Sequence, residues 1–126
     1  MSTAVLDSSA ILTLLNNEPG VEKLSSVHVS ISSAVNLAEV QTRLVAKGMD
    51  PVEAWESTLG AVSEASDFTV THAEVAGNLV SQTRSLGLSL GDRACLALAI
   101  SLDAPVYTAD RAWRSLKLPV KIHVIR

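Results

Sequence analysis

Short apolar runs that give way to stretches with helical spacing recur along this sequence, and that alternation limits its fold more than any other feature. TAVL at 3–6 precedes SSAILTLLNNEPG, where Ile11, Leu14 and Leu15 mark a helix that Pro19-Gly20 stops. HVSIS at 28–32 reads as a second strand, followed by SAVNLAEVQTRLVAKG, whose apolar positions from Val35 to Val45 end at Gly48. Asp50-Pro51-Val52-Glu53 combines an N-cap, a proline at the first helical position and a capping-box glutamate, and opens a helix carrying Trp55 and Leu59. DFTV at 67–70 predicts a short strand. Thr71 with Glu74 then predicts a capping box for a helix that runs to Gly87, with Val75, Leu79 and Val80 on its apolar face. Ser89 is placed to cap a helix holding Cys95, Leu96, Leu98, Ala99, Ile100 and Leu102, apolar over so wide a face that it must be buried. PVYTAD predicts a strand and turn, RAWRSLK a short helix, and VKIHVI a last strand in which Val120, Ile122 and Val124 alternate.

Strands separated by helices pair in parallel, because a parallel partner needs a crossover connection, and the helices then cover both faces of the sheet. The expected class is therefore α/β with a mainly parallel central sheet. At 126 residues and 48% hydrophobic content the chain suffices for one domain, residues 1–126, and not for two. Aromatic residues make up only 3%, so Val, Leu, Ile and Ala must fill the core, which suits layered strands and helices. A single cysteine, Cys95, leaves no internal disulfide or thiolate zinc site and suits a reducing compartment. The first residues lack a basic leader, and no apolar run is long enough for a bilayer, so a soluble, cytoplasmic protein with no membrane partner is expected.

In such a sheet the carboxyl ends of the strands and the amino ends of the following helices share one edge, where ligands bind. Asp7 ends the first strand, Glu39 lies in the early turns of the helix after the second, and Asp110 follows the YT of a later strand. Asp92 lies in the first turn of the buried helix that leads into that later strand, so it falls at the same edge. Carboxylates crowded into a cleft repel one another unless a cation compensates them. An all-oxygen set selects hard ions, Mg²⁺ or Mn²⁺, which complete their shells with water and phosphate oxygens. Phosphodiester hydrolysis is the chemistry this suits: divalent ions make a nucleophile of water and stabilise the leaving oxygen. Ser8 and Thr108 are candidates for orienting water or phosphate, and Arg93 and Arg111, each next to a proposed ligand, for pairing with phosphates.

The net charge of −3 is unusual for a nucleic-acid-binding protein. Thirteen acids less these four leave nine, against ten Lys and Arg, so the rest of the surface is near neutral and basic beyond Arg93. Each acid alone has a plainer role: Asp7 as an N-cap, Asp92 as the partner of Ser89, Asp110 as a turn residue and Glu39 as a solvent-facing helix residue. An interaction module in which these acids only cap helices is thus the alternative to an enzyme. Phosphoryl-transfer domains of the haloacid dehalogenase or receiver type fit poorly. The first would need a second Asp where Ser9 stands, and the second an early acidic pair with a later Lys.

VLDSSAILTLL, the strand before NLAEV, then SLGDRACLALA and PVYTADRAW, taken in order, resemble the acidic motifs of the PIN-domain nucleases, and among these the VapC-type toxins. The resemblance spans essentially the whole chain. It places the family's acidic quartet on Asp7, Glu39, Asp92 and Asp110, with Ser8 and Thr108 as small hydroxyl neighbours. It further implies a three-layer α/β/α sandwich and a Mg²⁺- or Mn²⁺-dependent endoribonuclease acting on RNA, often transfer or ribosomal RNA. A homodimer and a cognate VapB-type antitoxin that enters the acidic groove follow from it as well. A degenerate PIN domain that keeps the fold without activity is the corresponding non-enzyme expectation.

Overall fold

The computed structural model describes residues 2–126. Five strands, β1 (Thr3–Leu6), β2 (Val29–Ser33), β3 (Glu64–Ser66), β4 (Val106–Thr108) and β5 (Ile122–Val124), form one sheet in the order β3-β2-β1-β4-β5. Every neighbouring pair is parallel, with Val5 opposite Ile31 on one side and Val106 on the other. The helices are α1 (Ser8–Asn16), α2 (Ala34–Ala46), α3 (Pro51–Gly60), α4 (Val70–Asn78), α5 (Val80–Thr83) and α6 (Leu90–Leu102), with 3-10 segments at Val21–Ser26, Arg84–Leu86 and Arg111–Ser115.

Side chains alternate across a strand, so each strand feeds two cores. Val5, Ile31 and Val106 point to one face, where they meet Cys95, Leu96, Leu98 and Ala99 of α6, with Leu79 and Trp113. Leu6 points to the other, with Ala10 and Ile11 of α1, Leu37, Val40 and Leu44 of α2 and Ala54 of α3. The result is a three-layer α/β/α sandwich, the form that the family resemblance implies, around the parallel sheet expected from the alternation of elements. No helix among the described residues is long and apolar enough to cross a membrane.

Three local expectations shift. The third strand lies at Glu64–Ser66 and not at DFTV: residues 67–69 are coil and Val70 already opens α4. The cap of α4 is Thr69, whose side chain accepts from the His72 N–H at 3.1 Å, in place of Thr71 with Glu74. The helix expected to run unbroken to Gly87 is divided at Leu79 into α4, α5 and a 3-10 turn, Arg84–Leu86. Two expected N-caps form, although the Glu53 side chain makes no capping-box bond back to Asp50 among the described residues. Asp50 accepts from the N–H groups of Val52 and Glu53 with Pro51 beside it, and Ser89 and Asp92 make a reciprocal capping box.

β1 sits at the centre, with β2 on one side and β4 on the other. The winding of the chain reverses between them, and the crevice beyond the carboxyl ends of β1 and β4 is the place where such a sheet binds ligands.

Candidate active site

Asp7 follows β1 directly and is 3% exposed. It is the N-cap of α1: Oδ1 accepts from the Ala10 N–H at 2.8 Å and from Ser9 Oγ at 2.7 Å. Oδ2 accepts from Thr108 Oγ1, at the end of β4, at 2.5 Å. The capping role and the central position therefore belong to one residue. Burial pushes its carboxyl up to about 6. The hydrogen bonds from Thr108, Ala10 and Ser9 pull in the opposite direction, and the charge of Asp92 adds to the rise.

The Cys95 thiol, fully buried in α6 below this point, is pushed well above its usual range by burial and then by the charges of Asp7, Asp92 and Glu39. Three acids from distant parts of the sequence thus act on one buried atom. Asp110 joins through Thr108: its N–H donates to Thr108 Oγ1 at 3.1 Å, while its Oδ1 accepts from the Ala112 N–H at 2.9 Å. Asp92 turns Oδ2 back to the Ser89 N–H at 2.9 Å.

Glu39 is held from below by two residues that the sequence reading did not single out. Asn36, completely buried, donates through Nδ2 to Glu39 Oε1 at 3.0 Å and to the Gly91 carbonyl at 3.1 Å. Both acceptors demand the amide nitrogen, so the side chain has one sensible orientation, and its Oδ1 is left buried without a hydrogen-bond partner. Gly91 leaves the room that Glu39 occupies: a Cβ there would overlap the Glu39 carboxyl group and force that flexible side chain to shift. Each left a faint trace in the sequence. Asn36 interrupts an apolar helical face three residues before Glu39, and Gly91 sits inside a helix where alanine would serve better.

Of the paired serines, Ser9 is the one that contacts Asp7, and it also accepts from the Ala109 N–H at 2.9 Å. Ser8 makes no side-chain hydrogen bond among the described residues. Arg93 reaches away from the acids, donating to the Ala76 carbonyl of α4 at 2.9 Å. Arg111 is exposed at the start of the 3-10 turn after Asp110 and makes no ion pair among the described residues.

A PIN domain sequence profile matches residues 4–118 of the chain. The chain belongs to the PIN-domain family. Solved structures share the fold of this PIN domain at low identity. VapC20 of Mycobacterium tuberculosis, described as a sarcin-ricin loop cleaving toxin, superposes with a TM-score of 0.75 at 20% identity, over 94% of this chain and 98% of that one. The DNA-bound VapBC of Salmonella typhimurium gives 0.72 at 19% identity over 100% of both chains. VapBC2 of Rickettsia felis, bound to a DNA fragment from its promoter, gives 0.72 at 18% over 97% and 98%. No curated protein sequence matches the chain.

Among the described residues no three His, Cys, Asp or Glu side chains are grouped closely enough to hold a metal ion as they stand. The hydrogen bonds explain this. Asp92 and Asp110 each turn an oxygen onto a backbone N–H of their own helix or turn, and Glu39 is drawn to Asn36. The chemistry of this PIN domain's donor set nevertheless fits a hard cation. It is carboxylate oxygen only, and Asp7 is raised by burial and by Asp92. The one ion pair among the described residues, Arg126 with Glu18, involves none of the four acids.

Proposed function

We propose that this PIN domain is an endoribonuclease that hydrolyses RNA phosphodiester bonds with Mg²⁺ or Mn²⁺ held by Asp7, Glu39, Asp92 and Asp110. We further propose that it is the toxin of a VapBC-type toxin–antitoxin pair. The observation that carries the reading is that Thr108 links Asp7 to Asp110 while the Glu39 carboxyl lies against Gly91, next to Asp92, with none of the four acids in an ion pair among the described residues.

A divalent cation supplies, when bound, the charge that polarises a phosphate and acidifies water. The chain's own groups do the positioning. Thr108 and Ser9 fix both oxygens of Asp7 at the end of β1, and Asn36 sets the plane of Glu39. Thr108 also ties the backbone of Asp110 to Asp7, so two of the acids move as a unit. Arg111, exposed next to Asp110, is free to meet a phosphate, whereas the bond from Arg93 to α4 favours a packing role. Transfer or ribosomal RNA is the proposed substrate and a VapB-type antitoxin the proposed partner. Val52, Trp55 and Leu59 lie exposed on α3 and are a basis for a homodimer.

The test is incubation of purified, antitoxin-free protein with total RNA in Mg²⁺ or Mn²⁺, with and without EDTA. Discrete metal-dependent fragments that fall by about 100-fold or more in Asp7→Asn and Asp92→Asn are the expected result. A folded wild-type protein that leaves all RNA intact contradicts it.

One observation favours a second reading, an inactive PIN-like interaction module: Asp7 and Asp110 cap the helix and the turn that follow them, and Asp92 completes the capping box of α6. Thermal stability in Mn²⁺ separates the two. A cation site gains stability by mass action once the ion exceeds its dissociation constant, and a set of caps gains nothing.

A further inference from the structure

A polar groove of about 230 Å³ leads away from the acids between α1 and α2. Its near end is shared with the candidate site. Ser9, which donates to Asp7, and Ala109, next to Asp110, line it. Farther along stand Arg43 and Lys47, four and eight residues beyond Glu39, so that Glu39, Arg43 and Lys47 follow one another along a single face of α2. Both cations are exposed and make no ion pair among the described residues. Arg126 also lines the groove, but Glu18 pairs with it there and cancels its charge. The net charge of the groove is therefore that of Arg43 and Lys47, in a protein whose overall charge is −3.

We propose that this groove binds the RNA phosphate next to the one at the acids, with Arg43 and Lys47 as its charge-bearing contacts. The proposal rests on the ribonuclease reading. A polyanion approaching an acidic cleft needs compensating charge along its path, and two cations on one helix face beside the cleft provide it. An acidic protein segment would meet the same cations, but the proposed reaction itself requires an RNA strand to lead away from the acids, and this groove opens beside them at Ser9 and Ala109.

Both residues also lie at the carboxyl end of α2, where a positive charge favours the helix dipole. Stability is therefore measured beside binding. The experiment is fluorescence anisotropy of a labelled single-stranded oligouridylate with the full chain in EDTA, over a series of salt concentrations. It compares wild type, the Arg43→Ala/Lys47→Ala double variant and the Arg43→Lys/Lys47→Arg swap. The expected result is that the double variant weakens binding several-fold at low salt and flattens the dependence of log K on log salt by about 1, while the swap keeps the wild-type slope.

The proposal is overturned if the slope of the double variant equals that of wild type, if the swap loses as much as the double variant, or if wild type does not bind. It is also overturned if the double variant loses binding only in proportion to lost thermal stability. Displacement by polyglutamate as effective as by unlabelled RNA would assign the groove to an acidic protein partner instead. Cleavage of total RNA is followed in parallel. Intact cleavage with an unchanged salt slope refutes the groove alone, and the expected slope change in a protein that cuts nothing refutes the nuclease reading alone.

Discussion

Asp7 is under opposed demands. Its cap bond helps α1 to start, whereas burial and the charge of Asp92 oppose its ionisation. A carboxyl with an ordinary value of 3.8 that holds its proton to about 6 in the folded state binds more protons native than unfolded between those pH values. Stability conferred by this group is thus full at low pH and falls as pH rises through that window, at a cost of about 3 kcal/mol above it. Asp7→Asn keeps an oxygen for Ser9 and Ala10 and removes the charge. In EDTA it should raise the melting temperature by several degrees at pH 8 and leave it near wild type at pH 4; an equal effect at both pH values would refute the burial argument. Gly91→Ala separates folding from function. Alanine adds about 0.5–1 kcal/mol of helix propensity, while its methyl displaces the Glu39 carboxyl group, so metal-dependent cleavage should fall with no loss of melting temperature. Asp7, Glu39, Asp92 and Asp110 were readable as candidates because strand ends and helix starts are visible as patterns. Asn36 and Gly91 were not, because their roles depend on a contact between α2 and α6 that only folding creates.

At the scale of elements, caps account for much of what was legible. The Asp50-Pro51 start of α3 and the Ser89–Asp92 box of α6 were visible because their donors and acceptors are a few residues apart. The third strand was misplaced because Glu64–Ser66 is an edge strand whose residues are mostly exposed. It is held by backbone pairing to β2 and leaves no alternating pattern to read. The cap expected at Thr71 forms at Thr69, two residues earlier. Thr69→Ala should destabilise the protein by about 1 kcal/mol and Thr71→Ala by far less, measured by denaturant unfolding. A larger loss at Thr71 would contradict the observed start of α4.

The whole molecule divides its apolar residues unevenly. Two packed cores flank the sheet, yet Val52, Trp55 and Leu59, spaced along one face of α3, stay exposed, as do Val45 and Met49 before it. Burying such a patch between two copies is the physical basis proposed for a homodimer. Trp55→Glu should convert a dimer to a folded monomer by light scattering, with unchanged far-ultraviolet circular dichroism; a dimer that survives it lies on another face. The parallel sheet and its layers followed from the order of strand and helix signals alone. The winding reversal between β1 and β4, which brings Asp7 to Thr108, depends on strand order, and no local pattern encodes that.

The most direct test of the account is a calorimetric titration of the metal-free protein with Mn²⁺. It compares wild type with Asp7→Asn, Glu39→Gln, Asp92→Asn and Asp110→Asn, and uses Glu64→Gln as an exposed acidic control. Saturable binding by wild type and the control, weakened by about tenfold or more in each of the four variants, is the predicted result. No saturable binding to wild type, or binding that survives the loss of Asp7 unchanged, would contradict it.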